Sequence, residues 1–102
     1  MNQEQKKILI QTVEEAIPWE RIQTNVDGVF LVKTPEQKNN QNVFVELNPS
    51  VNGQPVKKRG IYLKNEDELK AFIELLENPK VTEVLKVINE YYGKRKASKI
   101  EI

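Results

Sequence analysis

A chain of 102 residues with 38% apolar content has the side-chain volume for one compact core, so a single domain is expected. Lys and Arg number 16 against 15 Asp and Glu, which leaves a net charge of +1, so attraction to a polyanion has to come from locally clustered cations rather than from the whole-molecule field. Without Cys or His the chain lacks disulfides, thiolate metal sites, nearly all zinc sites and the common nucleophile–base pairs, and no metal, cofactor or catalytic residue is expected.

The first apolar run, Ile8-Leu9-Ile10, is far shorter than a signal-peptide core or the about 20 residues of a membrane span, so a cytoplasmic protein without membrane association is expected. Over residues 3 to 17, Ile10, Val13 and Ile17 recur at helical spacing with Leu9 and Ala16 beside them, which predicts an amphipathic helix stopped by Pro18. Polar and apolar residues alternate from Trp19 to Asn25, and Asp27-Gly28 separates them from the apolar run Val29 to Val32. A hairpin is predicted, because Asp-Gly tolerates the positive φ of a tight turn. Pro35 to Asn42 is polar and without period, hence a loop; Val43, Val45 and Leu47 then alternate with Phe44, Glu46 and Asn48 as a third strand, ended by Asn48-Pro49. A loop with Asn52-Gly53 and Pro55 leads through Lys57-Lys58-Arg59 to a short fourth strand from Gly60 to Lys64.

Asn65 with Glu68 resembles a capping box, and Glu66, Asp67 and Glu68 suit the positive end of a helix dipole, so a helix starts there. Leu69, Phe72, Ile73 and Leu76 form its apolar stripe. Asn78-Pro79 ends it and opens a last helix, which carries Val81, Val84, Leu85, Ile88 and Tyr91 on one stripe and ends near Gly93. The elements make an α+β fold in the order α-β-β-β-β-α-α: a four-stranded antiparallel sheet with helices packed on one face. The domain spans residues 1–93, and the Lys- and Arg-rich residues 94–102 form a basic, flexible tail.

Successive side chains of a strand point to opposite faces, so the strands assign an inner and an outer surface. With Val43, Val45, Leu47, Ile61, Leu63 and Ile22 facing the helices, Phe44, Glu46, Asn48, Tyr62, Lys64, Trp19, Arg21 and Gln23 face solvent. The second strand is ambiguous; with Phe30 and Val32 taken as core, Leu31 and Lys33 lie outside. The outer face then carries Trp19, Phe44 and Tyr62 among Arg21, Lys33 and Lys64. Rings interleaved with cations suit single strands, because every base offers a π-face and every linkage a phosphate. Lys57, Lys58 and Arg59 are placed to grip phosphates at one sheet edge, and Gly60 allows close backbone approach. Each feature also fits a plainer role: the aromatics as packing or dimer contacts, the cations as a solvated loop. Glu46 counts against the interface, since it would repel phosphate.

From Asn42 to Leu76, the strand Val43-Phe44-Val45-Glu46-Leu47, the polar turn with Asn52-Gly53, the run Lys57-Lys58-Arg59, then Gly60-Ile61-Tyr62-Leu63 and an acidic helix start resemble the transcriptional coactivator family called positive cofactor four. The resemblance implies a curved antiparallel sheet followed by a helix, a homodimer, and binding of single-stranded DNA on the sheet. It carries a DNA-contacting role to Lys57, Lys58 and Arg59. The chain departs from that pattern in having Leu69 where the family's helix usually has an early tryptophan, and in its first and last helices. An archaeal single-stranded-DNA-binding group called ThermoDBP is similar in combining such a sheet with extra helices.

The expected function is binding of single-stranded DNA or RNA, DNA favoured, with little sequence preference. Lys57, Lys58, Arg59 and Lys64 are the expected phosphate contacts and Phe44 and Tyr62 the stacking platforms, with Arg21, Lys33 and Trp19 beside them. Neutralising some four phosphates would make log K fall against log salt with a slope of about −3. The alternative is a protein-interaction or homodimerisation module that uses the C-terminal helix or the sheet face. An enzyme is not expected: Glu14-Glu15 and Glu66-Asp67-Glu68 diverge around their helix axes instead of converging on an ion, and no phosphate loop or nucleophile elbow is present.

Overall fold

Asn2 opens the first helix, α1 (Gln3–Glu15): its side chain accepts from the Gln5 backbone N–H at 2.8 Å while Gln5 Oε1 accepts from the Asn2 N–H at 2.9 Å, a reciprocal capping box. The helix ends at Ala16, whose backbone is extended ahead of Pro18. The computed structural model describes residues 1–36 and 41–97. Along α1 the less exposed side is Leu9, Val13 and Ala16, whereas Ile10 and Ile17 are 58% and 66% exposed. The buried stripe is therefore rotated from the one expected. Lys33 indicates why: its Nζ donates to the carbonyls of Val13 at 2.9 Å and Glu14 at 3.2 Å, joining the C-terminal end of α1 to the sheet.

The chain divides into two units, Met1–Glu66 and Asp67–Ile102. In the first, β1 (Arg21–Gln23), β2 (Val29–Lys33), β3 (Val43–Leu47) and β6 (Ile61–Leu63) form an antiparallel sheet in the order β1-β2-β3-β6. Gly28, at φ 86°, turns β1 into β2; a Cβ there would lie 2.9 Å from the Asn48 carbonyl oxygen, and the Gly28 carbonyl accepts from the Asn48 N–H. Within the connection to β6, β4 (Ser50–Val51) and β5 (Gln54–Pro55) make a second, small hairpin. Asn52 and Gly53 both take positive φ, 55° and 78°, as the right-handed twist of a two-residue hairpin turn requires. This segment was expected as an irregular loop.

Register sets the faces. Arg21 stands opposite Val32 and Val32 opposite Phe44; Gln23, Phe30, Glu46 and Tyr62 form the next row on that side. Ile22, Leu31, Val45 and Leu63 share the other side with Val29, Leu47, Ile61, Lys33 and Val43. Phe30 and Val32 thus lie with the residues expected on the outer face, and Leu31 and Lys33 lie with the inner ones. Four consecutive apolar residues in β2 carry no period of two, so only pairing decides which of them turn which way.

Helix α2 (Glu66–Leu76) begins directly after Asn65, at the boundary with the second unit, and α3 (Pro79–Ala97) starts with Pro79 at its first position. Helix α3 continues through Gly93 to Ala97 instead of ending near Gly93, because a lone Gly weakens a helix without stopping it. Residues 98–102 of the expected tail lie outside the described residues. The architecture is α+β, with a four-stranded antiparallel sheet and three helices. Among the described residues no helix is long and apolar enough to cross a membrane.

Candidate nucleic-acid interface

Glu46 is the most buried side chain of the sheet, at 0% exposure, where strand alternation alone had placed it in solvent. Its burial is chemically complete. Arg21 Nε donates to Oε1 and Arg21 Nη2 to Oε2, each at 2.9 Å, in the two-pronged geometry that guanidinium and carboxylate favour. The Gly60 N–H donates to Oε2 at 2.9 Å. Arg21 reaches Glu46 by lying across β2, its guanidinium carbon 3.8 Å from the centroid of the Phe30 ring. A polar ladder therefore crosses the sheet from β1, over Phe30 on β2, to Glu46 on β3 and on to the residue before β6.

That ladder holds the basic segment. Gly60 is tied to Glu46 at its end, and Asn48, 3% exposed, donates from Nδ2 to the Lys57 carbonyl at 2.8 Å at its start. Gly60 has to be glycine for a packing reason rather than to admit phosphate: a Cβ would collide with the Leu47 carbonyl oxygen. Lys57, Lys58 and Arg59 are exposed, and among the described residues none of them is within ion-pair distance of a carboxylate. The negative charge expected to oppose a polyanion is instead buried and neutralised by Arg21.

A concavity of about 510 Å³ opens on this face. It brings together five residues expected at the interface, Trp19, Arg21, Lys58, Arg59 and Tyr62, with the buried Val32 and Glu46 beneath them. Trp19 gets there by an irregularity. Its N–H donates to the Lys33 carbonyl while the Lys33 N–H donates to the Glu20 carbonyl, so Trp19 and Glu20 together stand against Lys33 as in a β-bulge. Trp19 takes φ 68°, the left-handed conformation that such a position normally gives to glycine, and it is 60% exposed.

The other expected contacts fall around or away from this hollow. Phe44 shares the face, half-buried opposite Val32. Lys57 is exposed at the start of the basic segment, and Lys64 is exposed just beyond β6, its carbonyl accepting from Gln41 Nε2 at 2.8 Å. Lys33 does not belong here: it lies on the opposite face and neutralises the carbonyl end of α1, where a cation is favoured. Sequence reasoning missed Phe30 as the support of Arg21, and Glu46 and Asn48 as the anchors of the basic segment. The available signal was the spacing of Glu46 and Asn48 by two along one strand, which puts two polar groups side by side on a face also carrying Arg21.

Neither family models, curated proteins nor solved structures give a match to this chain.

Proposed function

We propose that this protein binds single-stranded nucleic acid, DNA in preference to RNA, with little sequence specificity, on the sheet face that carries Arg21, Phe44 and Tyr62. The observation that carries this reading is one hollow lined by Trp19, Tyr62, Lys58 and Arg59, in which Glu46, the one carboxylate among the described lining residues, is buried and paired. Rings supply stacking surfaces that any base satisfies, and exposed cations supply phosphate contacts that any sequence satisfies. A hollow on a sheet face suits a flexible strand better than a rigid duplex. The likeness of residues 42–76 to the positive-cofactor-four pattern supports DNA as the ligand. Arg21 enters as a platform rather than a phosphate contact, because two of its N–H groups are committed to Glu46.

The test is fluorescence anisotropy of a labelled oligothymidylate titrated with the full chain at several salt concentrations. With Lys57, Lys58 and Arg59 as the phosphate contacts, log K is expected to fall against log salt with a slope of about −2. Reversing all three charges to Glu abolishes binding. Absence of binding at low salt, or binding indifferent to salt, refutes the reading.

A second reading, homodimerisation, is favoured by the helical unit. Leu69, Phe72, Ile73 and Val81 are each 37–40% exposed, and Val84, Leu85, Ile88 and Tyr91 are half exposed or more nearly so, which leaves apolar stripes suited to a second copy.

A further inference from the structure

The geometry points to a single-nucleotide anchoring subsite within the strand-binding face: the hollow beside Arg21 takes one base against Trp19 and the Arg21 guanidinium, with its phosphate at Lys58 and Arg59. This inference rests on the strand-binding reading and sharpens it, replacing a uniform track along the sheet with one dominant position.

The hollow's volume, about 510 Å³, falls within the roughly 300–1,000 Å³ of small-ligand sites, enough for one nucleotide. Its chemistry is divided as a nucleotide is divided. Lys58 and Arg59 bring positive charge that no carboxylate among the described residues pairs, while Trp19 and Tyr62 bring aromatic surface. Arg21 belongs with the rings. Phe30 supports its guanidinium from one side and Glu46 holds it in plane and cancels its charge, yet its side chain remains 43% exposed. A planar, immobilised, neutralised guanidinium is a stacking surface that costs little entropy to use. Trp19 adds the second sign of specialisation. A bulky residue in the left-handed region is a strained choice, and Trp19 recovers little by burial, since 60% of it is exposed. Glycine would fit the bulge without strain, so the ring at this position is explained by what it presents to the hollow.

Trp19 is also the chain's single tryptophan, and so reports on the site directly. The full chain is titrated with a dodecameric oligothymidylate while Trp19 emission and the anisotropy of the labelled oligonucleotide are followed in parallel. The expected result is quenching of Trp19 with the same midpoint as the anisotropy change. Trp19→Gly is the decisive variant: relief of strain and the extra chain entropy of glycine offset each other, so Tm stays within roughly 4 °C of the parent. Affinity nevertheless falls about fivefold or more, the loss of one stacked base. Oligonucleotide binding without quenching, or a Trp19→Gly variant that binds like the parent, overturns the anchoring subsite and leaves the broader strand-binding reading standing. No binding by anisotropy at low salt overturns both.

Discussion

Arg21 and Glu46 are 25 residues apart in the chain and form a two-pronged ion pair across the sheet. A fully buried carboxylate is tolerable only when its charge and lone pairs are met, and here Arg21 and the Gly60 N–H meet them. Removing one partner is therefore worse than removing both. Arg21→Met strands the carboxylate and is expected to cost about 3 kcal/mol, the lower end of the range for broken buried pairs because Arg21 is itself partly exposed. The double substitution Arg21→Met with Glu46→Leu is expected to recover at least half of that loss, since the buried charge is gone and apolar volume takes its place. Urea denaturation of the single and double variants checks this; a double variant less stable than Arg21→Met would overturn it. Lys33 shows the same principle with a milder outcome, as its ammonium serves the carbonyls of α1 rather than a ligand.

At the scale of elements, two glycine turns look alike in sequence and differ in what surrounds them. Gly53 has φ 78° in the β4–β5 hairpin, and a Cβ there would meet nothing within 4 Å. Gly53→Ala then carries only the strain of a left-handed alanine, about 1 kcal/mol. Gly28 has φ 86° and, in addition, the Asn48 carbonyl oxygen 2.9 Å from where a Cβ would sit, so the turn is pressed against the end of β3. Gly28→Ala is expected to cost about 2–4 kcal/mol, strain and overpacking together. Thermal denaturation ranks them: Gly28→Ala has to melt well below Gly53→Ala, and equal melting points would contradict the packing account. The β4–β5 hairpin also explains how the basic segment is presented, because it folds back the connection that delivers Lys57 to the edge of β6.

For the whole molecule, the proposed nucleic-acid binding and the proposed self-association would draw on different surfaces. The cations and rings belong to the unit Met1–Glu66, whereas the exposed stripes of α2 and α3 belong to Asp67–Ile102. With a net charge of +1, any attraction to a polyanion would have to come from the local cluster and not from the global field. Two separable effects are expected in sedimentation velocity. Charge reversal at Lys57, Lys58 and Arg59 leaves the assembly state unchanged while binding is lost. Val84→Glu with Ile88→Glu, one turn apart on an exposed stripe, turns a dimer into a monomer. A parent chain that sediments as a monomer at micromolar concentration would end the homodimer reading without touching the other.

Signals that act within a few residues were legible in the chain itself. Asn65 and Pro79 mark helix starts, Pro18 stops α1, Asp27-Gly28 turns a hairpin, and alternation in β3 and β6 puts Phe44 and Tyr62 on one side. These features arise from local φ preferences, caps and periodicity, which the sequence carries in full. Other features needed the assembled sheet. Val29 to Val32 has no alternation to read, so the register against β1 and β3 chose the face of Phe30 and sent Lys33 to the other side. The bulge that aims Trp19, the burial of Glu46 and the anchoring of Lys57 and Gly60 all depend on partners brought close by strand pairing. The physical reason is that a buried charge and a left-handed backbone at a bulky residue are each unfavourable alone, and it is strand pairing between residues distant in sequence that imposes them.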